Sequence, residues 1–188
     1  MFVALWPLPA AARRLGEQAR EAASRHGGRA MPAADLHVTL AFIGELAPAA
    51  AIGLAARLRS GLHGACPPPD ASMVFDRIGS FRGANVTWLG PSVPPAWLQP
   101  LAMAVRDGLD GAGVAYDRKP FVPHLTIVRG ARAPADGIAP LSSSGWRVAL
   151  VRSAKPAESA GPGAGRYQIM EWLDEEAAPC NPAVTRMS

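Results

Sequence analysis

Two short segments of this chain share one pattern, and their spacing constrains the fold more than any other feature of the sequence. Residues 36–40 are Leu-His-Val-Thr-Leu, and residues 124–127 are His-Leu-Thr-Ile. In both segments a histidine and a threonine alternate with aliphatic residues, which is typical of a β-strand with one buried face. His37 and His124 stand 87 residues apart. We therefore predict two equivalent strands, one in each half of the chain. If the halves pack about a pseudo-twofold axis, both His/Thr pairs face one groove.

The remaining pattern predicts an α+β fold. Apolar runs predict strands over residues 2–6, 36–42, 72–78, 85–89, 124–128, 146–152 and 166–172. Helical periodicity predicts helices from Pro9 to about Arg25, over residues 49–62, and from Pro94 to Gly111. Several strands fall in hairpin pairs, which favours an antiparallel sheet over a doubly wound parallel one. The segment from Ala157 to Gly165 is rich in Gly, Pro, Ser and Ala and is expected to be a flexible loop.

Length and composition limit the class of protein. The 188 residues suit one domain, which we place at residues 1–176, followed by a loose tail at 177–188. The sequence has no signal-peptide pattern and no apolar run long enough to span a membrane, so a cytoplasmic location without a membrane partner is expected. The formal net charge is +4, and 17 of the 19 basic residues are arginine. This balance suits an anionic partner, although a general drift of composition toward arginine would produce it as well.

The paired histidines suit the hydrolysis of a phosphodiester. In-line displacement at phosphorus needs a base to deprotonate water and an acid to protonate the departing oxygen. Histidine titrates near pH 6.5, so one imidazole can be neutral while the other is charged. Thr39 and Thr126, two residues after His37 and His124, would reach the same face and donate hydrogen bonds to phosphoryl oxygens. Two alternatives remain at this point: structural roles for both histidines, and a metal site that includes Asp35.

Longer stretches around these segments resemble a known family. They are Phe2-Val-Ala-Leu-Trp-Pro7, Asp35-Leu-His-Val-Thr-Leu-Ala-Phe-Ile-Gly44, Ile78-Gly-Ser-Phe81 with Val86-Thr-Trp-Leu-Gly90, Pro120-Phe-Val-Pro-His-Leu-Thr-Ile-Val-Arg129, and Arg166-Tyr-Gln-Ile-Met170. In this order they resemble the two-histidine phosphoesterase superfamily, and within it the RNA 2′,3′-cyclic phosphodiesterases once called 2′-5′ RNA ligases. The resemblance covers residues 2 to 173.

The resemblance implies a bilobal α+β fold, with two antiparallel-rich sheets and flanking helices around a central cleft. It implies that the substrate is an RNA end or nucleotide bearing a 2′,3′-cyclic phosphate, opened to a 2′-phosphomonoester. His37 would be the general acid and His124 the general base, while Thr39, Thr126 and Arg129 would hold the phosphate. We expect a monomer that needs no metal or other cofactor.

The sequence leaves two other functions open, and it gives expectations for four aromatic residues. The chain could act on 2′-5′ linkages, as a ligase or a phosphodiesterase, or it could be a binding module of the same fold that lacks turnover. Alternation places Phe42 on the core face of its strand. Trp6, Phe81 and Phe121 are assigned to the core, with a base-stacking wall of the cleft as the alternative.

Overall fold

An antiparallel sheet of eight strands carries both histidine segments at its centre. The computed structural model describes residues 1–68, 70–131, 139–154 and 165–174. The strands are β1 (Phe2–Pro7), β2 (Arg29–Ala30), β3 (Val38–Phe42), β4 (Ser72–Phe75), β5 (Arg77–Phe81), β6 (Val86–Gly90), β7 (Leu125–Arg129), β8 (Leu141–Ser144), β9 (Trp146–Ser153) and β10 (Tyr167–Trp172). The helices are α1 (Pro9–His26), α2 (Pro48–Gly61) and α3 (Leu98–Gly111). The α+β class is confirmed, and the predicted tail lies outside the described residues.

The order of the strands divides the large sheet into two halves. The order is β10-β9-β1-β3-β7-β6-β5, with β2 paired to β7. The two central strands, β3 and β7, pair only at Val38 and Leu125. Each of them pairs over more residues with an antiparallel neighbour on its outer side, β3 with β1 and β7 with β6. The two parts of the sheet therefore meet at the two histidine strands. They are not the two halves of the sequence, because the C-terminal strands β9 and β10 lie beside β1, and β5 and β6 lie beside β7.

Apolar side chains bury one face of each helix against the sheet core. In α1 the buried positions include Ala11, Leu15, Ala19 and Ala22, which follow the helical repeat. Helix α3 begins at Leu98, later than the predicted start at Pro94. Pro100 explains the difference, because a proline has no N–H for an interior helical hydrogen bond and is tolerated in the first turn.

The middle of the chain is paired differently from the prediction. The single strand predicted over residues 72–78 is two strands, β4 and β5, which belong to different sheets. Strand β4 pairs with β8 in a separate two-stranded sheet, and β8 was not predicted. The break falls at Asp76, whose carboxylate accepts a hydrogen bond from the Ser92 backbone at 2.6 Å. Residues 79–81, which fall between the two predicted strands 72–78 and 85–89, continue β5, and the turn to β6 is at Arg82–Ala84.

Both histidine strands contain a β-bulge at the same place. In the pairing of β3 with β1, Thr39 and Ala41 face consecutive residues, so Leu40 is the extra residue. In the pairing of β7 with β6, Thr126 and Val128 face consecutive residues, so Ile127 is extra. A bulge puts two successive side chains on the same face and reverses the alternation beyond it. The position three residues after each threonine consequently returns to the threonine face.

The bulge explains why the prediction for Phe42 is wrong. Simple alternation placed Phe42 in the core with Leu40. In the structure Leu40 and Ala41 are both buried, and Phe42 is 52% exposed. Phe42 lines the same cavity as Thr39. Its equivalent on the other strand is Arg129, which lines that cavity too.

Candidate active site

The two His/Thr pairs line one cleft, as their spacing predicted. His37 and His124 each lie one residue before their strand, β3 or β7, and Thr39 and Thr126 lie on those strands. The cleft has a volume of about 370 Å³, which lies within the usual range for small-molecule sites. The residues that the sequence placed in one site, including Arg129, are thus brought together.

Both imidazoles are anchored in the same way. The Nδ1 atom of His37 lies 2.7 Å from the backbone oxygen of Asp35, and Nδ1 of His124 lies 2.7 Å from the backbone oxygen of Val122. A carbonyl oxygen can only accept, so Nδ1 donates its proton in both rings. This bond selects the tautomer whose Nε2 is available to accept a proton, or to donate one when the ring is charged. The two Nε2 atoms are the groups left for acid-base chemistry in the cleft.

His37 is packed among aromatic rings. Trp6 and Phe2 stack on it with ring centroids at 5.2 and 4.9 Å, and Tyr167 meets it edge-on at 4.9 Å. The pKa of His37 is lowered to about 4, chiefly by burial in these surroundings. The hydrogen bond to the Asp35 backbone opposes this shift, and the nearby His124 and Arg129 add to it. In the unliganded protein His37 is therefore neutral at pH 7. Trp6 is buried, as predicted, but it also forms one wall of this histidine site.

His124 has different aromatic neighbours. Phe81 meets its ring edge-on, with centroids 5.0 Å apart, and Trp88 lies at 6.3 Å. Phe81 is 39% exposed, so its assignment to the core is wrong. It ends β5 at the hairpin turn, where little of the chain covers it. Phe121 is partly buried against the main core, in agreement with the prediction.

Arg129 is linked to Tyr167, a cleft residue that the sequence analysis did not identify. The Nη2 atom of Arg129 donates to the Tyr167 hydroxyl at 3.3 Å, and this is the only hydrogen bond that the Arg129 side chain makes within the described residues. A guanidinium has five N–H donors, so Arg129 retains donors for an anion in the cleft. Tyr167 belongs to β10, far along the chain from both histidine segments, and no local pattern marks it. Three aromatic residues, Phe2, Phe42 and Tyr167, line the cleft, and their place there is revealed only by the tertiary structure.

Two further observations concern metals and membranes. Within the part of the chain that the structure describes, no three or more His, Cys, Asp or Glu side chains are grouped so that they could hold a metal ion. Over the same residues, none of the helices has the length and apolar character needed to cross a bilayer.

The fold and the paired His-x-Thr strands place this chain in a known class. The chain belongs to the 2′-5′ RNA ligase superfamily, whose family model matches residues 7–147. The resemblance noted in the sequence is thereby confirmed.

The chain is also similar to individual proteins whose names are known. The chain is 31% identical over 140 residues to the RNA 2′,3′-cyclic phosphodiesterase of Escherichia coli strain K12, which covers 74% of this chain and 76% of the relative. It is 28% identical over 124 residues to the enzyme of the same name from Geobacillus stearothermophilus, covering 61% of this chain and 39% of that one. Its fold is similar to the crystal structure of E. coli LigT complexed with 3′-AMP, with a TM-score of 0.65 and 26% identity, covering 91% of this chain and 94% of the other.

Proposed function

We propose that this protein hydrolyses RNA-type 2′,3′-cyclic phosphodiesters to 2′-phosphomonoesters. The observation that carries the proposal is the pair of histidines in one cleft, each with Nδ1 bound to a backbone carbonyl and each followed by a threonine. A binding module needs no two titratable groups held in the same tautomer. Hydrolysis by general acid-base catalysis needs both.

The reaction assigns a proton transfer to each histidine. Nε2 of neutral His124 takes a proton from water as the water oxygen attacks phosphorus. The bond from phosphorus to the 3′ oxygen breaks, and Nε2–H of charged His37 protonates that oxygen, leaving a 2′-phosphomonoester and a 3′ hydroxyl. His37 then has to regain a proton and His124 to lose one before the next turnover.

The other cleft residues bind the substrate. Thr39 and Thr126 lie on the same face as their histidines and would donate hydrogen bonds to the non-bridging oxygens, where charge accumulates in the transition state. Arg129 would neutralise the phosphate from the His124 half. Phe42 offers an exposed ring at the His37 half, and a nucleobase can stack on such a surface.

The proposal is tested by the product of hydrolysis. Adenosine 2′,3′-cyclic monophosphate and a short RNA ending in a 2′,3′-cyclic phosphate are incubated with the protein and followed by phosphorus NMR. A single acid and a single base orient the ring one way, so we expect nearly pure 2′-phosphate. The His37→Ala/His124→Ala double variant is the control for background hydrolysis.

Each other outcome has a definite meaning. Absence of turnover on both substrates would support the binding-module alternative. A dominant 3′-phosphate would show that the acid and base lie on the opposite sides of the substrate. Cleavage of 2′-5′ linked oligomers, with the cyclic phosphates left intact, would support the 2′-5′ alternative.

A further inference from the structure

Asp35 is a buried carboxylate that the proposed chemistry does not use. It lies two residues before His37 and is 1% exposed. No ion pair involves it within the described residues. Burial of a carboxylate without a cation is unfavourable unless hydrogen bonds satisfy it. Its oxygens therefore need a partner, and that partner lies far away in the sequence.

The partner is the backbone at the start of β10. The amide N–H of Arg166 donates to both carboxylate oxygens of Asp35, at 2.8 and 3.0 Å. Gly165, the residue before Arg166, packs so closely that a Cβ added there would lie 2.6 Å from Oδ1 of Asp35. The carboxylate thus connects the segment before β3 to the entry of β10, across 131 residues of chain.

Both ends of this connection lead to the reaction centre. At one end the backbone oxygen of Asp35 accepts the Nδ1 proton of His37. At the other end Arg166 is followed by Tyr167, which packs edge-on against His37 and accepts a hydrogen bond from Arg129. One side chain therefore ties down the carbonyl that orients His37 and the tyrosine that borders it.

The His124 half of the site has no carboxylate at the equivalent position. The residue equivalent to Asp35 is Val122, whose backbone oxygen anchors His124 at the same distance of 2.7 Å. The Val122 side chain is apolar and 52% exposed. In the His124 half the anchoring carbonyl therefore belongs to a residue with a largely exposed side chain, whereas in the His37 half it belongs to a residue whose side chain is buried and bonded to the start of β10. The Asp35 side chain has a separate task, present in the His37 half alone.

We infer that Asp35 is a positioning residue for the proposed hydrolysis, which clamps β10 to the His37 segment so that His37 keeps its Nδ1–H tautomer beside Tyr167. The inference rests on the proposed function for its kinetic part. Its structural part concerns the unliganded protein and can be measured without any substrate.

The experiment compares Asp35→Ala, Asp35→Asn and Gly165→Ala with wild type, and uses Val122→Ala as the equivalent change in the other half. Nitrogen-15 NMR of the imidazoles reports the tautomer of His37 in the free protein. We expect wild type, Val122→Ala and Asp35→Asn to show mainly the Nδ1–H form, since asparagine retains an oxygen for the Arg166 N–H. We expect Asp35→Ala and Gly165→Ala to show a mixture of tautomers.

Kinetics on a 2′,3′-cyclic nucleotide provide the second readout. Loss of orientation at a proton donor should lower kcat by about 10- to 100-fold with a small change in KM, and Asp35→Asn should recover most of it. Circular dichroism and thermal unfolding identify any variant that fails to fold, and Gly165→Ala then tests the same contact from the other side.

The possible results distinguish the positioning role of Asp35 from the proposed function. A His37 tautomer and a kcat that are unchanged in folded Asp35→Ala and Gly165→Ala would overturn the inference. An equal decrease of kcat in Asp35→Asn and Asp35→Ala would overturn it as well, because the charge of Asp35 and not its hydrogen bond would then matter. A tautomer change in a protein whose wild type hydrolyses no cyclic phosphate would leave the clamp standing and refute the proposed function.

Discussion

The protonation of His37 is the most direct test of its assignment as the general acid. Its pKa is lowered to about 4 in the unliganded protein, and an acid has to be charged before it can donate. The proposed mechanism therefore requires that a bound phosphate raises this pKa. We predict that an anion in the cleft charges His37 near neutral pH.

The size of the effect can be worked from the structure. Raising the pKa from about 4 to about 7 takes roughly three pKa units, or about 4 kcal/mol. An anion about 4 Å from the imidazolium supplies about 4 kcal/mol at an effective dielectric constant near 20. A phosphate in contact with His37 is thus sufficient, with no other change in the site. At pH 6 the free protein should have about 1% of His37 charged, and the complex most of it.

NMR titration measures this directly. The imidazole shifts of His37 are followed from pH 3.5 to 8, with and without saturating sulfate, an anion that does not titrate in this range. We expect a midpoint near 4 without sulfate and near 7 with it. His124→Gln serves as the control that assigns the resonances. A midpoint that stays near 4 in saturating sulfate would refute the assignment, because a neutral His37 can act as the base and not as the acid.

Four further predictions follow from the same site. His37→Ala and His124→Ala should each lower turnover by about 10²–10⁴-fold, and the double variant should lose much less than the product of the two; near wild-type turnover in either single variant would exclude the two-histidine mechanism. Phe42→Ala should weaken nucleotide binding by about 1–3 kcal/mol, seen as a higher KM with a smaller change in kcat, and an unchanged KM would contradict stacking. The pKa of His37 is lower in the folded protein than in the unfolded chain, so the unfolded chain takes up the proton first as pH falls. The free energy of unfolding should therefore decrease between pH 6.5 and 4, by at most about 3 kcal/mol. Urea unfolding should show a smaller decrease of this free energy for His37→Asn than for wild type over the same pH range. Activity should survive excess chelator, and loss that Zn²⁺ or Mn²⁺ restores would support a metal mechanism instead.

The sequence was sufficient to predict the parts of the site that depend on local alternation. The His-x-Thr pattern places each histidine and threonine on one face because the strand repeat is two residues, and the structure brings both pairs to one cleft. The helices were predicted for the same reason, since their apolar faces follow the helical repeat. The late start of α3 could also have been predicted from the position of Pro100.

The rest depends on contacts between distant segments. The bulges at Leu40 and Ile127 arise from the way β3 pairs with β1 and β7 pairs with β6. The register of such a pairing cannot be predicted from the residue pattern of one strand alone. Phe42 was misplaced for this reason. The pairing of β4 with β8, and the approach of Tyr167 to His37, likewise join residues that no short-range pattern relates.

The two halves of the site share a backbone framework and differ in the side chains placed around it. Their strands share one motif, one bulge and one backbone anchor, and two identical histidines in identical surroundings would have equal pKa values. Two equal groups titrate as a pair, and nothing in the groups themselves decides which one carries the proton. The side chains outside the shared framework remove the equality: Phe42 stands where the other half has Arg129, and Asp35 where it has Val122. Aromatic faces cover His37, and an aromatic edge meets His124. A bound phosphate would therefore raise the lowered pKa of His37, and the unequal surroundings of the two histidines can fix the direction of proton transfer between two otherwise similar strands.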